Sequence, residues 1–161
     1  QTMPFSIGAH PGFSCAQKPG DALTDYVLEF ERPESAPRYF IRDGLLAGET
    51  ASVFHGDREI QITSDLFKDG ALIFKGLVSR WIALRSKRHG NRVTVHFAGF
   101  PHMGIWAMPG APFVCIEPWF GHADPAGFDD DFSRKPGIQR LAPGTSFACE
   151  YRITIQSERG A

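Results

Sequence analysis

"DYVLEFE", Asp25 to Glu31, sets Tyr26, Leu28 and Phe30 against Val27, Glu29 and Glu31. A strict period of two belongs to an extended strand, whose successive side chains point to opposite faces, and does not fit a helix of 3.6 residues per turn. The expectation is a strand with one buried face. "RVTVHF" repeats the pattern with Val93, Val95 and Phe97 opposite Arg92, Thr94 and His96. "FACEYRITI" repeats it again with Phe147, Cys149, Tyr151, Ile153 and Ile155. Further strands are expected at "MPFSI", "RYFIR", "EIQIT", "ALIFK", "RWIAL", "GIWAM" and "FVCIE", separated by Gly, Pro, Asp and Ser clusters. No stretch keeps helical periodicity for about ten residues. At most "TSDLFKDG" makes a turn of helix, with Thr63, Ser64 or Asp65 as its cap. The pattern predicts an all-β sandwich.

A chain of 161 residues reads as one domain, residues 1–161, since that size buries roughly 70% of its unfolded surface. A formal net charge of -1 offers no field that would draw nucleic acid or an anionic membrane, and "RSKRHG" reads as a solvated hairpin end. No apolar run approaches the roughly 20 residues of a membrane span, and the first residues carry no secretory pattern. The three cysteines, Cys15, Cys115 and Cys149, lack the close pair spacing of a disulfide framework or a zinc ribbon. Cys115 and Cys149 read as small core residues, and a reducing, cytoplasmic setting is expected. "HPGFSCAQKPGD" and "WFGHADPAGFDDDFSRKPGI" read as long loops packed by their aromatic residues. "QTMPFSIG" enters a strand pattern almost at once, which leaves an open sheet edge in need of cover.

The chemistry concentrates in "FVCIEPWFGHADP", Phe113 to Pro125. Strand alternation aims Glu117 at the same face as Phe113 and Cys115, where lost hydration raises a carboxylate's pKa and makes it a better proton acceptor. Trp119 and Phe120 add aromatic walls of the kind that stack on the C–H faces of sugars. The plainer alternative is a strand-end glutamate paired with an arginine. His10, in "SIGAHPGF", sits at a corner between a strand and a loop, where an imidazole with an unperturbed pKa of about 6.5 can exchange protons near neutrality or simply be an ordinary loop residue. His122 and Asp124 of "HAD" are close enough to serve a metal, but a hydrogen-bonded loop fits them better. His55, His89, His96 and His102 show no two-ligand spacing. There is no G-x-S-x-G elbow, P-loop or dinucleotide fingerprint.

Taken together, "MPFSIGAHPGF", "SDLFKDGALIFKGLVS", "VTVHFAGFPHMGIWA", "FVCIEPWFGHADP" and "KPGIQRLAPGTSF" resemble the aldose 1-epimerase (galactose mutarotase) superfamily, and within it the LacX-like bacterial branch. "GAHP" and "IEPW" are the most specific, and the motifs cover nearly the whole chain in family order. The resemblance implies an antiparallel β-supersandwich with one concave face that holds a hexose or a sugar phosphate, and it implies no cofactor and no metal. His10 matches the family's general acid and Glu117 its general base. Family members are nearly twice as long, so the chain is expected to be a C-terminal portion, without the segment that supplies a sugar-contacting arginine and histidine. Self-association, or association with an N-terminal half, would cover its edges. Family members often read Asp directly before the "AL(I/V)F" run, whereas Gly70 fills that place here and Asp69 lies one residue earlier. Asp69, Trp119, His122 and Asp124 are the candidate substrate contacts. A carbohydrate-binding module of the same fold without turnover is the alternative function.

Overall fold

The computed structural model describes residues 1–157. In chain order the strands begin with β1 (Met3–Phe5), β2 (Ile7–Gly8), β3 (Gly12–Ser14), β4 (Tyr26–Phe30) and β5 (Arg38–Arg42). They continue through β6 (Leu45–Ala51), β7 (Glu59–Gln61), β8 (Leu72–Lys75), β9 (Trp81–Ser86) and β10 (Arg92–His96). The last are β11 (His102–Trp106), β12 (Phe113–Phe120), β13 (Gln139–Leu141) and β14 (Arg152–Gln156). Two short 3₁₀ turns, Leu23–Asp25 and Phe132–Arg134, complete the regular structure of the described residues.

Every strand pairing within the sheets is antiparallel, as the alternating patterns require. One sheet has the order β14-β10-β9-β4-β7 and the other β2-β12-β11-β8-β5-β6, with β3 also on β12; β1 and β13 form a separate pair. The two large sheets share one apolar core. Tyr26, Leu28, Phe30, Ile82, Leu84 and Val95 of the first meet Leu72, Phe74, Met103, Ile105, Val114 and Ile116 of the second. Phe30, Phe54 and Phe74 meet with ring centroids 5.0, 5.4 and 6.3 Å apart, two of the three pairs edge to face.

Three expectations are corrected. In β4 both faces are buried, not one: Val27 and Glu29 lie under cover as fully as Leu28. β4 is interior to its sheet, and long arginine side chains close over its outer face. Arg58, Arg85 and Arg92 each hold the Glu29 carboxylate at 2.9 Å. In "FACEYRITI" only Arg152–Gln156 is strand, and Cys149, Tyr151, Ile153 and Ile155 are exposed. β14 is the outer strand beside β10, so its apolar side chains overhang the end of the core rather than enter it. "TSDLFKDG" forms successive turns, with amide-to-carbonyl bonds Leu66 to Thr63, Lys68 to Asp65 and Gly70 to Phe67, and no helix. Sequence reading also passed over β6, whose "LLAGETA" lacks alternation. Its hairpin with β5 turns on Asp43 and Gly44, both at positive φ (52° and 81°), the backbone that "DG" favours in a two-residue hairpin.

Candidate active site

In β12 the residues Val114 and Ile116 enter the core, so Phe113, Cys115, Glu117 and Trp119 share the opposite face. The neighbouring β11 places Gly104 directly across from Glu117, His102 across from Trp119 and Trp106 across from Cys115.

On the other side of β12, β2 and β3 are two pieces of one antiparallel partner. Gly8 faces Trp119 and Gly12 faces Cys115, and the constant register between them puts His10 opposite Glu117. The Ala9 amide donates to the Pro118 carbonyl at 3.1 Å and the Ile116 amide to the Pro11 carbonyl at 3.2 Å. These bonds flank the His10–Glu117 pair, which is therefore a non-hydrogen-bonded pair, the kind in which facing side chains approach most closely. Pro11 accepts from Ile116 but has no amide hydrogen with which to return a bond to β12, and it falls in the break between β2 and β3, just before the first residue of β3. The result is a contact of 2.7 Å between His10 Nδ1 and Glu117 Oε1.

The two groups live in different surroundings. The Glu117 side chain is 8% exposed and that of His10 62%. Burial pushes the Glu117 carboxyl above its usual range, an effect partly offset by His10 and by the hydrogen bond from the Trp119 indole. His10 also lies beside the Trp106 ring, at 6.1 Å between centroids. The Trp119 indole lies across the backbone of the sheet. A Cβ built on Gly104 would stand 2.3 Å from its Cη2 and Cζ2, and one on Gly8 would stand 2.5 Å from its Cδ1. Two glycines thus let one large ring lie flat beside Glu117.

A cavity of about 380 Å³, lined by Ser6, Ile7, Gly8, His10, Trp119 and His122 among others, opens at this edge. That is at the small end of the range usual for small-molecule sites. Glu117 is not part of this lining; it adjoins the cavity through its contact with His10. His122 donates from Nδ1 to the Ala123 carbonyl at 2.7 Å, which fixes Nε2 as its acceptor, and Asp124 pairs with Lys135. The structure thus brings His10, Glu117, Trp119 and His122 together. Asp124 stands behind them as a loop partner. Asp69 is exposed in the turn before β8, where its backbone carbonyl accepts from Arg38 Nη2 at 2.9 Å.

No protein-family model matches the chain. It is 33% identical to the plasmid-borne LacX protein of Lactococcus lactis over 96% of its own length and 53% of that protein's. A galactose mutarotase related enzyme from Lactobacillus acidophilus superposes with a TM-score of 0.88 at 32% identity, over 97% of this chain and 53% of that one. A galactose mutarotase-like protein from Lactobacillus casei gives 0.82 at 26% identity, covering 97% and 55%. The chain is homologous to the LacX proteins and to galactose mutarotase-related structures. It spans about half the length of these relatives.

Beside these LacX and mutarotase-related relatives, the face holds residues that sequence reading missed. Gly104 is an isolated glycine inside a strand, a pattern that marks close approach of another group and was there to be used. Lys75 and His102 carried no local signal. Register alone aligns Lys75, His102, Trp119 and Gly8 in one row across four strands. Burial, with help from the charges on His122 and Lys75, pushes His102 down to about 4, so its imidazole is neutral near pH 7. His102 and His122 meet edge to face at 4.9 Å, and the Lys75 ammonium stands 4.6 Å above the Tyr39 ring.

Proposed function

We propose that the chain, as one β-sandwich domain, carries the acid–base pair of an aldose 1-epimerase-like enzyme that interconverts the α and β anomers of a hexose. The observation that carries this reading is the His10–Glu117 pair, 2.7 Å apart at the edge of a cavity beside Trp119. Ring opening needs a proton taken from the anomeric hydroxyl and one given to the ring oxygen, and both oxygens are bonded to the same carbon. An acid and a base that are themselves neighbours can address both. The buried carboxylate of Glu117 accepts the hydroxyl proton, and its raised pKa makes it the stronger base. With Nδ1–H held by the Glu117 carboxylate, the doubly protonated imidazolium of His10 carries its second proton on Nε2 and gives that proton to the ring oxygen, becoming neutral. The ring opens to the aldehyde, the first carbon–carbon bond rotates, and the reverse transfers close the other anomer.

Anomer-exchange NMR on freshly dissolved glucose and galactose tests the proposal. The expected result is catalysed exchange that falls by about 10²–10⁴-fold in Glu117→Gln. Exchange at the spontaneous rate rejects turnover for those sugars. If Trp fluorescence then still reports sugar binding, the non-catalytic carbohydrate-binding module takes its place.

A phosphorylated hexose is the second reading, favoured by Lys75, a half-buried ammonium with no carboxylate partner among the described residues. A Lys75→Met variant should then lose exchange on hexose 6-phosphate and keep it on the free sugar. The exposed side chains of Ile7, Ile153 and Ile155 support association with a second copy or a further β segment, which sedimentation velocity measures. Free thiols at Cys15, Cys115 and Cys149 support a reducing, cytoplasmic setting.

A further inference from the structure

His10, Cys115 and Glu117 form the one group of three or more His, Cys, Asp or Glu side chains among the described residues whose ligand atoms gather closely enough for a metal ion, all within 4.8 Å of one another. We infer that this triad is a binding site for a thiophilic divalent cation of the Zn²⁺ class, and that the cation blocks the acid–base pair by occupying it. The inhibitory part of this inference rests on the proposed reaction; the binding part does not.

The geometry follows from the sheet. Cys115 and Glu117 are alternate residues of β12, so their side chains project from the same face one pleat apart. His10 reaches that face from the adjoining edge, in the register position opposite Glu117. Donor atoms of one thiolate, one imidazole and one carboxylate around a tetrahedral Zn²⁺ lie about 3.3–3.5 Å apart, given Zn–N and Zn–O near 2.0 Å and Zn–S near 2.3 Å. The three donor atoms lie within 4.8 Å of one another, near enough to converge on such a sphere by side-chain rotation. The His10–Glu117 contact, at 2.7 Å, must open and the wider spacings, up to 4.8 Å, must close, and the exposed imidazole supplies the freedom to adjust. Three protein donors leave a fourth position for water, as in open zinc sites.

The donor types select the ion. One thiolate, one imidazole and one carboxylate suit Zn²⁺, Co²⁺ or Cd²⁺, whereas Mg²⁺ and Ca²⁺ prefer oxygen alone. On binding, the Cys115 thiol proton and the proton shared between His10 and Glu117 leave to solvent. The dication then faces one thiolate and one carboxylate, so the assembly is neutral, which favours it where Cys115 and Glu117 are buried, while His10 keeps one side open to solvent. Cys15 is buried in the core and Cys149 is exposed, and neither belongs to a comparable cluster among the described residues.

The test is Co²⁺ titration of the full chain, followed by its thiolate-to-cobalt charge-transfer absorption and displaced by Zn²⁺. A one-to-one band is expected. It should persist in Cys149→Ser and vanish in Cys115→Ser, with affinity at least about 10-fold weaker for the loss of one of three ligands. Cys115→Ala provides the same test if the serine variant misfolds, and near-UV circular dichroism shows which variants keep their packing. No band, or a band that survives loss of Cys115 in a folded variant, overturns the site. Zn²⁺ at saturation should reduce anomer exchange to the spontaneous rate, reversibly with chelator, and Cys115→Ala should keep exchange while resisting Zn²⁺. Full activity with the site saturated overturns the blockade. An inactive protein that still shows the Cys115-dependent band sinks the proposed reaction and leaves the metal site standing.

Discussion

Gly104→Ala is the sharpest probe of how the site is built, because it adds one methyl group to a place already filled by the Trp119 ring. The added Cβ would stand 2.3 Å from two indole carbons, where ordinary contacts run 3.4–4 Å, so the ring must withdraw by about 1 Å, a forced repacking of the kind that costs 1–3 kcal/mol. For a chain of this size the melting temperature should fall by roughly 3–10 °C. The same movement draws the indole N–H away from Glu117, removing a bond that holds its carboxyl down. The carboxyl then rises further, and the acidic limb of the exchange rate shifts to higher pH because the base must be ionised to act. A displacement of this size should also lower the rate by about 10²-fold. Trp119→Phe supplies the control. Phenylalanine lacks the ring carbons that collide, so Gly104→Ala should be nearly harmless in that background, with a coupling of at least about 1 kcal/mol between the two sites. Urea unfolding of the four proteins measures it. If Gly104→Ala costs the same with Trp or Phe at 119, the flat-lying indole is not what the glycine accommodates.

Other perturbations read separate parts of the molecule. Glu29→Met leaves three arginines without their shared carboxylate, and since those arginines are partly exposed the loss should be about 2–3 kcal/mol, below the 3–5 of a fully buried pair, by thermal or urea unfolding. His102 is held at about 4 by burial, so its neutral form stabilises the fold above the unfolded value near 6.5 and that contribution is lost as pH falls toward 4. His102→Gln should flatten the acid side of the stability profile in that window, and the His102 ring proton should not titrate by NMR between pH 5.5 and 8, a range set well above about 4. Glu117 has the opposite sign: its folded carboxyl is raised, so its ionisation opposes folding once pH exceeds the unfolded value. Glu117→Gln should therefore raise the melting temperature at pH 7, lose that advantage in acid, and slow exchange by the same factor of about 10²–10⁴, a trade of activity for stability.

The strands announced themselves because alternation is a local property. "DYVLEFE", "RVTVHF" and "FVCIE" needed no partner to be read as extended, and β12 duly puts Glu117, Cys115 and Trp119 on one face. What alternation does not carry is depth. Tyr151, Ile153 and Ile155 have the pattern of a core strand and are exposed, because β14 lies at the end of its sheet. Glu29 has the pattern of a solvated residue and is buried, because three arginines drawn from separate parts of the chain close over it. Cys149 was misplaced for the same reason as its neighbours, whereas Cys115 is buried on the face of the acid–base pair and outside the core cluster.

By itself the sequence determined that the chain is all-β and that Glu117 faces the same way as Phe113 and Cys115, since side-chain direction along a strand is set by the backbone of that strand alone. His10 and Glu117 were paired there only by resemblance. The pairing itself was decided by tertiary structure, when Ile7 to Ser14 laid down antiparallel to β12 in one register out of several that local pattern allows. A shift by a single residue would have turned His10 to the other face. That choice belongs to contacts between segments remote along the chain, and no window of sequence contains them.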